Sequence, residues 1–217
     1  MIVKHWMSKN PDIISSDLPA KEAMELFEEK RVPFMSVVDN GRFRGLIARR
    51  DLREAASWTF AAQDIYETQY FNERLKVKDI MVRKPVTLNI DDTVDTALEK
   101  GKEFGRSFLP VMDGDKLVGT LSNRDFSYAL KQLLGVDDGL HGISIEINGD
   151  SRVTIKKILE EIFAQGFQIQ GVFTLKDPDT KAKRLTIRVE EKYLKQITSL
   201  IDQKGYKLIE VINNQQE

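Results

Sequence analysis

The sequence has no cysteine, which excludes disulfides and thiolate metal sites. Its two histidines, His5 and His141, stand in no metal-ligand spacing and read as surface or linker residues. Long apolar runs are missing too. Nothing approaches the length of a membrane span, and Met1 to Trp6 lacks the apolar segment of a signal peptide, so a cytoplasmic location is expected. Charge of one sign is also lacking: 33 Lys and Arg face 34 Asp and Glu, for a net charge of −1. Nucleic-acid binding would want a basic face. The arginines between Arg42 and Arg53 have acids beside them and read as a solvated surface or a local phosphate site. No Walker loop, nucleophile elbow or HExxH motif occurs. Acid pairs such as Asp137-Asp138, Glu160-Glu161 and Glu190-Glu191 fall on predicted turns or helix faces. No acid, base or nucleophile is set up for catalysis, so neither an enzyme nor a resident cofactor or metal is expected.

What is present is a repeat. The chain has 217 residues, 41% hydrophobic and 31% charged, enough for two or three ordinary domains. An offset of 74 positions, the separation of Asp51 from Asp125, superimposes Met7 on Met81, Pro11 on Pro85, Asp17 on Asp91 and Ala23 on Ala97. It continues without a gap through Phe34 on Phe108, Val37 on Val111, Asp39 on Asp113, Gly45 on Gly119 and Arg50 on Arg124. A repeat fixes architecture before any local reading does. Each copy reads as strand, helix, strand, turn, strand, helix, with Asp39-Asn40-Gly41 a hairpin turn and Asp17 an N-cap candidate.

The chemistry sits at the end of each copy. Gly119-Thr120-Leu121-Ser122-Asn123-Arg124-Asp125-Phe126 runs from a strand into a helix. Ser122 followed by Asp125 is a helix-start signal, and the same arrangement suits a nucleotide. Free N–H groups at a helix start and the Ser122 hydroxyl can meet phosphate, while the Asp125 carboxylate can accept from ribose hydroxyls. In the first copy Ala48 stands where the second has Ser122, so that site has no hydroxyl for a phosphate and a poor cap. Asp51 can still take a ribose, and Arg49 or Arg50 can compensate. Residues 53–76 have no counterpart in the repeat, and their stripe of Ile65, Tyr66, Tyr70 and Phe71 reads as packing or a dimer contact.

Two copies ending in Gly-apolar-x-(Ser/Thr)-x-x-Asp resemble a tandem pair of CBS domains, a Bateman module. The resemblance implies two β-α-β-β-α units in a pseudo-twofold pair, with clefts for adenosyl ligands and a tendency to form homodimers. In the second cleft it implies a site at Ser122, Asp125, Arg124, Asn123 and Gly119, with an adenine pocket near Val86, Thr87, Leu109, Pro110 and Val111. The first cleft, with Asp51, Arg50, Ala48 and Ile13, ranks second.

After Gly135 the register breaks, and Asp137-Asp138-Gly139 is a charged turn. The remainder reads βαββαβ, with Ile143, Ile145 and Ile147 alternating as a half-buried strand should. A last helix ends at Gly205. This order resembles an ACT domain, a ferredoxin-like fold that pairs across subunits. Asn148, Gly149 and Asp150 form its candidate ligand loop, without the usual proline, which favours dimerisation over amino-acid sensing. The whole order is similar to bacterial acetoin-utilisation B-type proteins. The expected α/β (α+β) chain thus has CBS unit 1 with its connector at 1–76, CBS unit 2 at 77–135, a linker at 136–141 and an ACT-like domain at 142–217.

The expectation is a non-catalytic regulatory protein binding AMP, ADP or ATP and passing the signal through dimer or partner contacts, possible regulated enzymes among them. The alternatives are an S-adenosylmethionine or NADH sensor, or a structural adaptor with empty clefts.

Overall fold

The computed structural model describes residues 1–61, 74–103, 105, 107–147 and 151–214. The stripe from Ile65 to Phe71 and the loop Asn148 to Asp150 lie outside the described residues. The chain divides into two compact units, Met1–Phe126 and Ser127–Glu217.

The first unit is built twice. In the first copy β1 (Ile13–Ile14) lies parallel to β2 (Phe34–Asp39), which pairs antiparallel with β3 (Arg42–Ala48). The helices of that copy are α1 (Ala20–Lys30) and α2 (Arg49–Ala61). The β2–β3 hairpin turns at Asn40 and Gly41, with φ of 51° and 76°, the left-handed pair that a type I′ turn demands. A one-turn helix, α3 (Val77–Ile80), opens the second copy, and β4 (Leu88–Asn89), α4 (Val94–Glu103), β5 (Phe108–Asp113), β6 (Lys116–Ser122) and α5 (Asn123–Leu133) repeat the order. Each copy has its own apolar centre: Phe27, Met35, Val37, Ile47 and Leu52 in one, Leu88, Leu109, Val111 and Leu121 in the other. All nine side chains are at most 1% exposed.

The copies are tied by exchanging their leading segments. The backbone of Ser8, ahead of the first copy, pairs with Thr120 on β6, by N–H to O=C bonds of 2.9 and 3.0 Å in the two directions. Val82, ahead of the second copy, pairs with Leu46 on β3 at 2.8 and 3.0 Å. The same offset of 74 relates the two bridges, as it relates Ile2–Thr93 to Lys76–Pro19. The ion pair of Lys4 with Asp91 at 3.3 Å likewise mirrors that of Lys78 with Asp17 at 2.8 Å. Asp17 is therefore used as a clamp and not as the expected helix cap. The residue before α1 is Pro19, with no side-chain cap bond.

Glycine makes the exchange possible. A β-carbon on Gly45 would stand 2.3 Å from the Val82 carbonyl oxygen, and one on Gly119 would stand 2.6 Å from that of Ser8. Neither approach leaves room for a side chain.

The second unit places β7 (His141–Ile147), α6 (Ser151–Ala164), β8 (Gly171–Lys176), β9 (Lys183–Val189), α7 (Glu191–Gln203) and β10 (Leu208–Ile212) in sequence. Its sheet runs β10-β7-β9-β8, antiparallel throughout, which is the ferredoxin-like βαββαβ arrangement. The core joins Ile143, Ile145, Leu185 and Ile187 to Ile158, Ile162, Ile197 and Ile201 of the helices. The expected half-buried character of β7 is corrected: Ser144 on its other face is 1% exposed and shares a hydroxyl hydrogen bond of 3.0 Å with Thr186. His141 is corrected as well. It is buried in β7, and its Nδ1 accepts from the Asn214 N–H at 3.3 Å.

Two outcomes follow. Gly45→Ala must push Val82 away, so it should destabilise the protein by about 1–3 kcal/mol, read as a lower urea midpoint; an unchanged midpoint would contradict the exchange. Asp39, at the end of β2, accepts from the Ser16 N–H at 2.9 Å and the Ser15 hydroxyl at 3.2 Å. Chiefly through the backbone bond, its pKa is held below the ordinary 3.8. A depressed carboxylate adds stability above its unfolded pKa and loses it as pH falls through the folded one. Asp39→Asn should therefore cost about 1 kcal/mol at neutral pH. The difference should shrink below pH 3.8 in pH-dependent urea unfolding; a difference independent of pH would contradict the assignment.

Candidate functional site

A cleft opens where the exchanged segment Val82 to Val86 passes the start of α2. Phe34, Leu46, Ala48 and Asp51 form one side, and Val82, Pro85, Val86 and Phe108 the other. Its enclosed volume is about 10 Å³, room for about one water, where a small-molecule site ordinarily offers roughly 300 Å³ or more. The aromatic pair Phe34 and Phe108, equivalent by the offset, stacks between the copies with ring centres 5.2 Å apart and planes at 21°. Ser36 pairs with Leu46 across the hairpin and so shares the sheet face of Phe34. Its hydroxyl is buried with no hydrogen-bond partner among the described residues.

The exchange redistributes the residues expected from sequence. Val86 stands on the wall opposite Asp51, not beside Ser122 and Asp125, because the leading segment of each copy crosses to the other. Thr87 is half-buried, and its carbonyl accepts from Lys100 Nζ at 3.2 Å. Leu109 and Val111, 1% and 0% exposed, are core side chains, and Pro110 is buried between them. Gly119 serves the close approach of Ser8. Ile13 is 54% exposed on β1, pairing with Ser36.

At the start of α5 the Asp125 carboxylate folds back on its own helix start. Its Oδ2 accepts from the Ser122 N–H at 2.7 Å and from the Ser122 hydroxyl at 2.6 Å, so cap and carboxylate already satisfy each other. Asn123 and Arg124 are exposed at that turn. Asp51 has no such serine beside it. Its Oδ1 accepts from Arg50 Nε at 3.3 Å. The offset carries Val86, on the wall of the first cleft, onto Asp12, a carboxylate paired with Lys30 at 3.0 Å.

Next to the first cleft, and sharing Phe34 and Ala48 with it, runs an open groove of about 340 Å³. Arg31, Arg49, Arg50 and Arg53 line it together with Val32 and Pro33. The Glu28 carboxylate on α1 accepts from Arg49 Nε at 3.1 Å and Arg53 Nη2 at 3.0 Å. Those hydrogen bonds, Arg49's foremost, hold Glu28 below the usual carboxylate range.

Sequence reasoning named Asp51, Ala48 and Arg50 but missed Phe34, Leu46, Ser36, Val82, Pro85 and Arg31. The offset contained the signal for Phe34 and Arg31; nothing in the sequence reported the exchange that brings Val82 and Pro85 to Asp51. Among the described residues no group of three or more His, Asp or Glu side chains could hold a metal, and no helix is long and apolar enough to cross a membrane.

The sequence model of the CBS domain matches residues 3–57 and 77–132. A CBS domain-containing protein of Dictyostelium discoideum is 31% identical over 137 residues, 62% of this chain and 94% of that protein. Among solved structures, CBSX2 in complex with AMP is 24% identical with a TM-score of 0.52, covering 60% of this chain and 96% of that one. The CBS domain pair of protein MJ0100, in complex with 5′-methylthioadenosine and S-adenosyl-L-methionine, is 24% identical with a TM-score of 0.50, covering 61% and 97%. A Vibrio cholerae structure named for acetoin utilization (AcuB) is 19% identical with a TM-score of 0.53, covering 64% and 96%. The matched segments are the two halves of the repeat, and the chain belongs to the CBS domain family.

Proposed function

We propose that the chain is a non-catalytic regulatory protein that binds an adenosyl ligand (AMP, ADP or ATP) in the cleft of Asp51. The observation that carries this reading is the cleft itself: a carboxylate at a helix start, facing an apolar wall supplied by the other copy, with arginines at its mouth. Asp51 would accept from the ribose hydroxyls, Phe34, Val86 and Phe108 would pack against the base, and the Ser36 hydroxyl would offer a donor or acceptor to its edge. The AMP and S-adenosyl-L-methionine held by the two CBS-pair structures support the ligand class. The sequence ranking, which put Asp125 first, is reversed in this proposal. Asp125 is already engaged by Ser122, and a base in the second cleft would meet the Asp12 carboxylate where the first cleft offers Val86.

A cleft of about 10 Å³ must part to admit a nucleoside. The open pose then gains population by the ligand's differential affinity, which is all a ligand can contribute to a conformational switch. The walls that part belong to different copies, so the signal is a change in their mutual pose. The ferredoxin-like unit would act as an ACT-like dimerisation domain, with a homodimer or a regulated enzyme in the cytoplasm as listener. Its edge strand β8 presents Val172 and Leu175 at 45% and 53% exposure, as a strand that pairs across subunits would. S-adenosylmethionine is the second reading, favoured by Ala48, which offers no hydroxyl to a phosphate.

A thermal-shift panel of AMP, ADP, ATP, S-adenosylmethionine and NADH tests the reading. At a hundredfold excess over Kd a ligand stabilises the native state by about 2.7 kcal/mol, a shift of several degrees. We expect the shift to vanish in Asp51→Ala and persist in Asp125→Ala. No shift with any compound would leave the structural adaptor as the better account.

A further inference from the structure

We infer that the four-arginine groove beside the Asp51 cleft is a polyphosphate subsite, gated by Glu28, that selects ligands with two or more phosphates over AMP and S-adenosylmethionine. The inference rests on the reading above for the adenosyl moiety and adds the class of its tail.

The first observation is a backbone one. Arg31 follows α1 in the left-handed conformation, with φ of 53° and ψ of 34°, its N–H bonded to the Phe27 carbonyl at 3.1 Å. Helices commonly end this way on glycine, since a β-carbon makes the conformation unfavourable. The second copy follows that rule: the offset maps Arg31 onto Gly105, whose φ is 58°. The two copies thus take a left-handed φ at the same repeat position, and the first has an arginine where the fold alone would favour glycine. An outlier maintained against local preference is a pointer to function. The Arg31 side chain has no acidic partner among the described residues, and it lines the groove.

The second observation is the asymmetry of charge. The offset carries Arg49, Arg50 and Arg53 onto Asn123, Arg124 and Ser127, so four guanidinium groups in the first copy correspond to one in the second. Glu28 corresponds to Lys102. Four positive groups at the first groove face two carboxylates, Glu28 on Arg49 and Arg53 and Asp51 on Arg50. Guanidinium binds carboxylate and phosphate through the same paired N–H geometry, so Glu28 occupies Arg49 and Arg53 as one phosphate would. A polyphosphate can replace that carboxylate and engage Arg31 besides. A single phosphate only takes over the guanidinium bonds that Glu28 gives up, leaving Arg31 unengaged, and the sulfonium of S-adenosylmethionine, itself a cation, has none to make. The groove adjoins the cleft, with Phe34 and Ala48 lining both, so a tail leaving a ribose at Asp51 would have it alongside once the cleft parts.

The test is isothermal titration of the full chain with AMP, ADP, ATP, S-adenosylmethionine and inorganic tripolyphosphate, for wild type, Glu28→Gln, Arg31→Gly and Arg53→Gln. We expect ATP to bind about tenfold or more tighter than AMP, with Arg31→Gly and Arg53→Gln each removing most of that ratio and Glu28→Gln tightening both nucleotides. Arg31→Gly should meanwhile raise the melting temperature, because glycine suits the left-handed turn; a residue with a purely structural role would not gain stability while losing ATP. Equal AMP and ATP affinities, indifferent to all three variants, would overturn the subsite and leave the adenosyl reading standing. Tripolyphosphate binding lost in Arg31→Gly, with no adenosyl compound bound, would uphold the subsite and sink the adenosyl reading. Binding of none of the five overturns both.

Discussion

The backbone exchange between the two copies is the constraint from which the rest of the first unit follows. Ser8 lies against Thr120 and Val82 against Leu46, and both contacts depend on a glycine that leaves the neighbouring carbonyl room. A three-stranded sheet with one leading segment has an unpaired edge and too small a core to stand alone comfortably. Crossing the segments gives each copy part of its partner's backbone pairing, so the copies fold as one unit. The Asp17 clamp with Lys76 and Lys78, and its counterpart between Lys4 and Asp91, reinforces the crossing on the surface, where ion pairs contribute modestly.

The same crossing makes the clefts. Because Val82 to Val86 belongs to one copy and Asp51 to the other, anything held between them reports on the pose of both. The two clefts then diverge by substitution on a common frame. Ser122 closes the second copy's helix start on Asp125. Ala48 leaves Asp51 without that partner, and arginines gather around it where the second copy has Gly105, Asn123 and Ser127. Duplication supplied two equivalent frames, and the charge was placed on one.

Much of this could be read in advance, and the failures have physical causes. The repeat, the hairpin turn at Asn40-Gly41 and the βαββαβ order are local patterns, and local patterns survive in sequence. Asp51 and Ala48 were recognised by the offset. The pairing of Val86 with Asp51 was not, because it follows from which copy a leading segment packs on, a tertiary choice that spacing cannot encode. Asp17 was misread for a related reason: an acid before a helix looks like a cap, and only the approach of Lys76 and Lys78 makes it a clamp. Leu109 and Val111 were expected near the base, yet strand alternation and full burial make them core. The left-handed Arg31 was hidden because arginine gives no turn signal, although its alignment with Gly105 contained one.

Photolabelling with 8-azido-ATP, followed by peptide mapping, tests the central claim most directly, since the azide reports which wall the base touches. The account predicts label on Phe34 or on the segment Val82 to Val86, displaced by excess ATP. Label confined to Ser8 to Asp12 or to Thr120 to Asp125, or label that ATP does not displace, would contradict it.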